Sequence, residues 1–299
     1  MRLRAFDLNE PIPELNGPHA LAVIQPWTDV SSVGSMVLSC LEAYLGVKEL
    51  GKLARPGNFF DFTRYRPTIN RKADSTEVKI PNTVITYGIT HGTKSGSHDF
   101  LFLRLLEPQM LAETYIDSVV ELFKTFGVKR YCLLGSMDDM VPYTRPLLVT
   151  GSASNPRLQN ELALVNIKQS DYQGPTTILS LIRNRALQLG IETCSMMVHL
   201  PSYFMMEEDY SGEKRLMEII SSLYGFAAPQ EDIEKADQQE KQIRLIAEQI
   251  MEQEPRLRLI LKELENNYDS RINENKAETR LSPEVEKFLQ DLEKRFRQD

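Results

Sequence analysis

Only three cysteines occur among the 299 residues, Cys40, Cys132 and Cys194. They are odd in number and far apart, which excludes a disulfide framework and a Cys-x-x-Cys metal site. No uncharged apolar run approaches the roughly 18 residues that a membrane span requires. Arg2, Arg4, Asp7 and Glu10 break up the only stretch that could serve as a secretory leader. Four histidines are present (His19, His91, His98 and His199), and none lies at metal-ligand spacing from another. Glycine motifs are missing too. No Gly-x-Gly-x-x-Gly follows a strand, no Gly-x-Ser-x-Gly elbow occurs, and Gly88–Ser95 has the wrong glycine spacing for a phosphate loop. No cofactor, no metal and no catalytic residue is expected from these absences.

Positive charge is also short. The chain holds 35 Lys plus Arg against 42 Asp plus Glu, a formal charge of −7. Residues 230–299 alone carry 18 acidic and 13 basic side chains. A near-neutral body with an acidic tail lacks the field that nucleic-acid binding needs. These features point to a cytoplasmic protein with neither nucleic acid nor membrane as partner.

What is present is alternation. Ala20–Ile24 is a compact apolar run of buried-strand type, followed by a turn and a helix over about 32–45. Further strands are predicted at 83–87, 99–105, 130–134, 147–150, 162–167 and 193–199, and helices at 109–126, 176–189 and 213–223. In the 176–189 helix, Ile178, Leu181, Ile182 and Leu189 form the apolar side, Pro175 suits the first turn and Gly190 the end. Segments 82–87 and 99–104 read as a hairpin with a polar loop. Strand–helix alternation with short connections predicts a three-layer αβα sandwich with a mostly parallel central sheet over residues 1–228.

After Gly225 the composition changes, and 229–299 reads as an acidic C-terminal helical appendage. Ile243, Ile250, Leu257 and Leu264 recur at sevenfold spacing. Pro255 interrupts that stripe, so two helices meeting there are expected. A last helix after Ser282-Pro283 would carry Val285, Phe288, Leu289, Leu292 and Phe296 on one face. Stripes of this size need a cover, either a neighbouring subunit or the parent domain.

Three clusters carry candidate chemistry: Asp61-Phe62-Thr63-Arg64-Tyr65-Arg66-Pro67, then Pro142-Tyr143-Thr144-Arg145-Pro146, then His199-Leu200-Pro201-Ser202-Tyr203. Arginines fixed between prolines and aromatics can clamp a carboxylate or phosphate in a bidentate fork. The bland alternative pairs them with Asp61, Asp138 or Asp139 to lock loops to the sheet.

In this order the three clusters resemble the proteasome assembly chaperone 2 family, closest to a bacterial branch, over roughly residues 15–225. Ile24–Asp29 and Tyr172-Gln173-Gly174-Pro175 fit the resemblance. It implies a phosphorylase- or hydrolase-like αβα domain found in oligomers, with a trimer as the expected form. It also implies a conserved-motif pocket or ion-pair cluster of Asp61, Arg64, Arg66, Tyr143, Arg145, Tyr172 and His199. Thr63 and Tyr143 depart from the branch pattern, which has Arg and His there. The terminal Phe296-Arg297-Gln298-Asp299 also departs from the hydrophobic–Tyr–any tail by which relatives dock on the proteasome, so docking through such a tail is not expected. The implied function is that of a non-catalytic, self-associating, chaperone-like interaction protein whose client the sequence does not name. The competing classes are a hydrolase- or phosphorylase-like enzyme and a small-molecule sensor, each using the arginines around an anionic ligand.

Overall fold

The structure is a computed structural model that describes residues 1–72, 75–90, 98–254 and 256–273. A ten-stranded sheet is built around the apolar run of the sequence, β3 (His19–Gln25), whose residues are buried up to Ile24. β3 lies parallel to β8 (Phe100–Leu106) and to β9 (Arg130–Asp139). Beyond β8 the sheet turns antiparallel through β7 (Val84–Gly88), β4 (Lys48–Leu53), β2 (Phe6–Leu8) and β1 (Arg2–Leu3). Beyond β9 come β12 (Glu192–Pro201), β10 (Val149–Ala153) and β11 (Lys168–Gln169). β5 (Thr68–Lys72) and β6 (Ser75–Lys79) form a separate two-stranded ribbon.

Alternation along β3 sets the layers. Ala20, Ala22 and Ile24 join a core with Tyr115, Val119 and Phe123 of α2 (Ala112–Thr125) and Ile178, Ile182 and Ala186 of α4 (Ile178–Gln188). On the other face Val23 meets α1 (Val33–Leu45). A side chain at Gly34 would place its Cβ 2.9 Å from Val23 Cγ1 and 3.3 Å from the Leu134 carbonyl, so only glycine allows that approach. The hairpin predicted over 82–104 is β7 and β8, and residues 91–97 of its loop lie outside the described residues.

The predicted strand at 162–167 is not one. Residues Pro156–Leu164 form α3, because Asn155 caps it by accepting from Leu158 N at 2.9 Å and Pro156 opens its first turn. Leu181 of α4 and Leu189 at its C-terminal cap are exposed rather than core-facing. That helix starts at Ile178, where the Glu107 carboxylate accepts from the Ile178 amide at 3.0 and 3.1 Å. α5 (Tyr210–Tyr224), α6 (Gln230–Gln253) and α7 (Arg256–Asn273) follow, so two helices rather than one run through this stretch, as expected. The predicted helix beyond Ser282 lies outside the described residues. No helix among the described residues is long and apolar enough to cross a membrane.

Two compact units partition the chain. The first holds Met1–Asp29, Gly34–Gly135 and Gly151–Met196; the second holds Val30–Val33, Ser136–Thr150 and the described residues from Met197 on. Helices α6 and α7 therefore cluster with the loop after β9 and the end of β12.

Candidate functional site

The second unit carries Tyr143, Arg145 and His199. Arg145 sits between Pro142 and Pro146 on the loop leaving β9, and its guanidinium is gripped by one face of α7. Its Nε and Nη2 reach the two carboxylate oxygens of Asp269 at 3.0 Å each, and Nη1 reaches Glu265 Oε1 at 3.1 Å. Glu265 and Asp269 are one helical turn apart, the spacing that puts both on the same face. The hydroxyl of Thr144 donates to Glu265 Oε1 at 2.5 Å, and the hydroxyl of Tyr268 to the Pro146 carbonyl at 2.6 Å. The Asp269 bond and the neighbouring Glu265 charge push the Arg145 guanidinium further toward its charged form. The loop is thus stitched to α7 at three successive residues.

His199, 6% exposed, lies near the end of β12 between two partners. Its Nδ1 is 2.7 Å from Asp139 Oδ2 and its Nε2 is 2.8 Å from Thr150 Oγ1. Arg271 of α7 donates to the same Asp139 oxygen at 2.9 Å, and the Met140 amide donates to Oδ1 at 2.7 Å. Burial alone would raise the Asp139 carboxyl; the His199 bond and the Arg271 charge outweigh it and hold the group at about 2. Carboxylate, imidazole and hydroxyl stand in the order of an acid–base relay. Here, however, Arg271 shares the carboxylate, and neither His199 nor Thr150 is among the described residues lining the two cavities that flank the relay. The chain ties the ends of β9, β10 and β12 together.

Two cavities flank this network within the unit. One, of about 350 Å³, has Arg145, Lys214, Arg215 and Arg244 in its walls together with Asp209, Glu218 and Glu240. Its cations are largely engaged: Lys214 bonds Asp237 at 2.7 Å, and Arg215 bonds Glu218 at 3.2 Å. The other, of about 80 Å³, is a groove between α6 and α7 floored by Phe204, Ile250, Leu257, Ile260 and Leu264. Tyr143 borders both. Its amide donates to the Tyr203 hydroxyl at 3.0 Å, and its ring meets Phe204 edge-on at 5.7 Å.

The remaining predicted site residues belong to the first unit. The Asp61 carboxylate accepts from the Thr63 amide and hydroxyl at 2.8 Å each, which keeps it below the usual carboxylate range. Arg64 stacks its guanidinium over Trp27, 4.9 Å from the ring centre. Arg66 is exposed. Tyr172, 64% exposed, donates its hydroxyl to the Pro175 carbonyl at 2.9 Å. For Arg145 the carboxylates are Glu265 and Asp269, not the Asp61, Asp138 or Asp139 of the ion-pair alternative. The i, i+4 acidic pair on α7 was the sequence signal for them.

The PAC2 family model matches residues 23–250, more than half of the chain. No curated protein matches it. Among solved structures, a PAC2 family protein from Streptomyces avermitilis is 22% identical, with TM-score 0.70, over 77% of this chain and 96% of that one. A proteasome-assembly chaperone homologue from Mycobacterium tuberculosis is 19% identical, with TM-score 0.66, over 76% and 94%. PbaB of Pyrococcus furiosus, an archaeal proteasome activator, is 14% identical, with TM-score 0.62, over 81% and 97%.

Proposed function

Since the chain belongs to the PAC2 family, we propose that it is a non-catalytic, self-associating, chaperone-like interaction protein acting in the cytoplasm. The observation that carries this reading is the open apolar groove of α6 and α7. Leu245, Ile246 and Leu259 on the same two helices are 60%, 49% and 71% exposed. Exposed apolar side chains of this kind, beside an open apolar groove, mark an interaction site. The names given to the Mycobacterium and Pyrococcus neighbours, an assembly-chaperone homologue and a proteasome activator, accord with work on other protein subunits. Carboxylate-engaged arginines and a relay sealed by Arg271 favour a structural role over chemistry.

Light scattering at micromolar concentration is the test. The expected mass is a small multiple of 34.3 kDa. A single monomeric species across that range would refute self-association. A sensor reading would rest on the four cations among the mixed charges lining the larger cavity. It requires that inorganic phosphate or a dicarboxylate raise the unfolding midpoint, an effect the scaffold reading does not expect.

A further inference from the structure

Within the second unit, the opening turns of α5 and α6 bring two carboxyl groups together. An oxygen of Glu213 lies within 4.8 Å of an oxygen of Asp232. Glu213 is 4% exposed, and its Oε2 is buried with no hydrogen-bond partner among the described residues. Two carboxylates this close repel when both are ionised, and the buried one also loses its hydration. In this unit the other charged groups facing Glu213 are Lys235 of α6 and Glu208 of the loop before α5. Lys235 is already shared between Glu231 at 2.8 Å, Asp232 at 3.6 Å and the Tyr210 ring, 5.3 Å from its centre. Burial and, next, the Asp232 charge push the Glu213 carboxyl up to about 7, and Lys235 offsets only part of this.

The other polar ties at this junction keep their charge state around neutral pH. Lys214 bonds Asp237 at 2.7 Å, a pairing that raises the amine and lowers the carboxyl, so both stay charged. Gln239 accepts from the Tyr210 amide and donates to the Glu208 carbonyl, each at 2.9 Å. Five residues, 225–229, connect the two helices, and Gly225 takes the left-handed conformation (φ 76°) that ends α5. A rotation in this linker moves α6 without breaking either helix.

We infer that the Glu213–Asp232 pair is a proton-operated catch on α6: with the proton in place α6 lies closed on α5, and its loss lets α6 lift so that water reaches Glu213. This catch works within a single chain and needs no second copy. α6 supplies Ile243 and Arg244 to the larger cavity and Ile250 and Met251 to the groove, so release takes down one wall of each. The closed state holds the proton to higher pH than the open state does, so opening rises with pH. For a group at about 7 when closed and at an ordinary 4.5 when open, the opening equilibrium rises about tenfold between pH 6 and pH 8.

The test is hydrogen exchange of the full chain, read by mass spectrometry as protection factors at pH 6 and pH 8. Amides of residues 230–245 should lose about tenfold protection at pH 8 in the wild type and keep it in Glu213→Gln. Low urea separates the lifting of α6 from unfolding of the whole chain. Protection set by a local opening barely changes with urea, while that of β3, set by global unfolding, falls. Should the glutamine variant fail to fold, Asp232→Asn takes its place; it removes the neighbouring charge and should shrink the loss. Equal wild-type protection at the two pH values refutes the catch, as does the same loss in Glu213→Gln. If the α6 amides follow those of β3 in urea, α6 does not lift on its own and the hinge is overturned. An undiminished loss in Asp232→Asn overturns the pairing.

Discussion

Glu213 occupies the first turn of α5, 4% exposed, with its Oε2 atom buried and unbonded. Burial raises its carboxyl first, and the Asp232 charge on α6 raises it further. Lys235 offsets part of this, and the group settles at about 7. Moving from an ordinary 4.5 to about 7 corresponds to roughly 3 kcal/mol, at about 1.4 kcal/mol per pH unit. Relaxation around the charged group reduces this, leaving about 1–3 kcal/mol to be measured. The folded chain holds this proton to higher pH than the unfolded chain does. Stability from this group therefore falls as pH rises from about 4.5 to about 7. Glu213→Gln keeps the shape and removes the titration, so urea unfolding of both proteins at pH 4 and pH 8.5 isolates the effect. The variant should gain about 1–3 kcal/mol on the wild type between the two pH values. Any cost of the unpaired amide is the same at both and cancels. Parallel stability curves from pH 4 to 8.5 would show that Glu213 does not titrate in this window, and the reasoning would fail.

Two further outcomes follow from the packing. Gly151→Ala should cost about 1–3 kcal/mol in the urea midpoint, since the new Cβ would run into the Ser195 carbonyl oxygen and lie 2.9 Å from Ile167 Cγ2. Asp139→Asn should cost about 2–3 kcal/mol at neutral pH, because His199 and Arg271 both lose an ionised acceptor. The Asp139 carboxyl is held at about 2, below its ordinary 3.8, so its stabilisation is full above about pH 4 and fades as pH falls through 2. The wild type should then lose its advantage over the variant in acid, and an advantage that persists at pH 2 would contradict the pairing.

The central strand was legible in the sequence because Ala20–Ile24 is apolar without a break, as a strand buried on both faces must be. The α6–α7 break was legible because proline cannot continue the helix at 255. The antiparallel wing was not: Arg2–Leu3, Phe6–Leu8 and Lys48–Leu53 are short and charged, and they become strands through pairing rather than propensity. Leu162 and Ile167 looked like a strand because a helix end and the turn after it juxtapose two apolar residues; the Asn155-Pro156 cap was the overlooked signal. At the candidate site, the motifs drew attention to Arg145 and His199, whose polar partners are Glu265 and Asp269 for the arginine and Asp139 and Thr150 for the histidine. Glu265 and Asp269, with the Arg271 that bonds Asp139, sit in a tail whose charges look like a solvated helix face; the i, i+4 spacing of the two acids puts them on one face, and the fold shows which loop that face meets.

The stitching of the Arg145 loop to α7 also has a consequence in time. Arg145 waits for Asp269, 124 residues downstream, and Asp139 waits for Arg271, 132 residues downstream. At synthesis rates of about 5–20 residues per second the gap is roughly 6–26 s, during which the β9 loop has been made and its counter-charges have not. A nascent chain interrupted in that interval carries the arginine, the carboxylate and the histidine without the helix that neutralises and covers them. The loop is therefore a late-closing latch, which cannot shut until the last turns of α7 have been made.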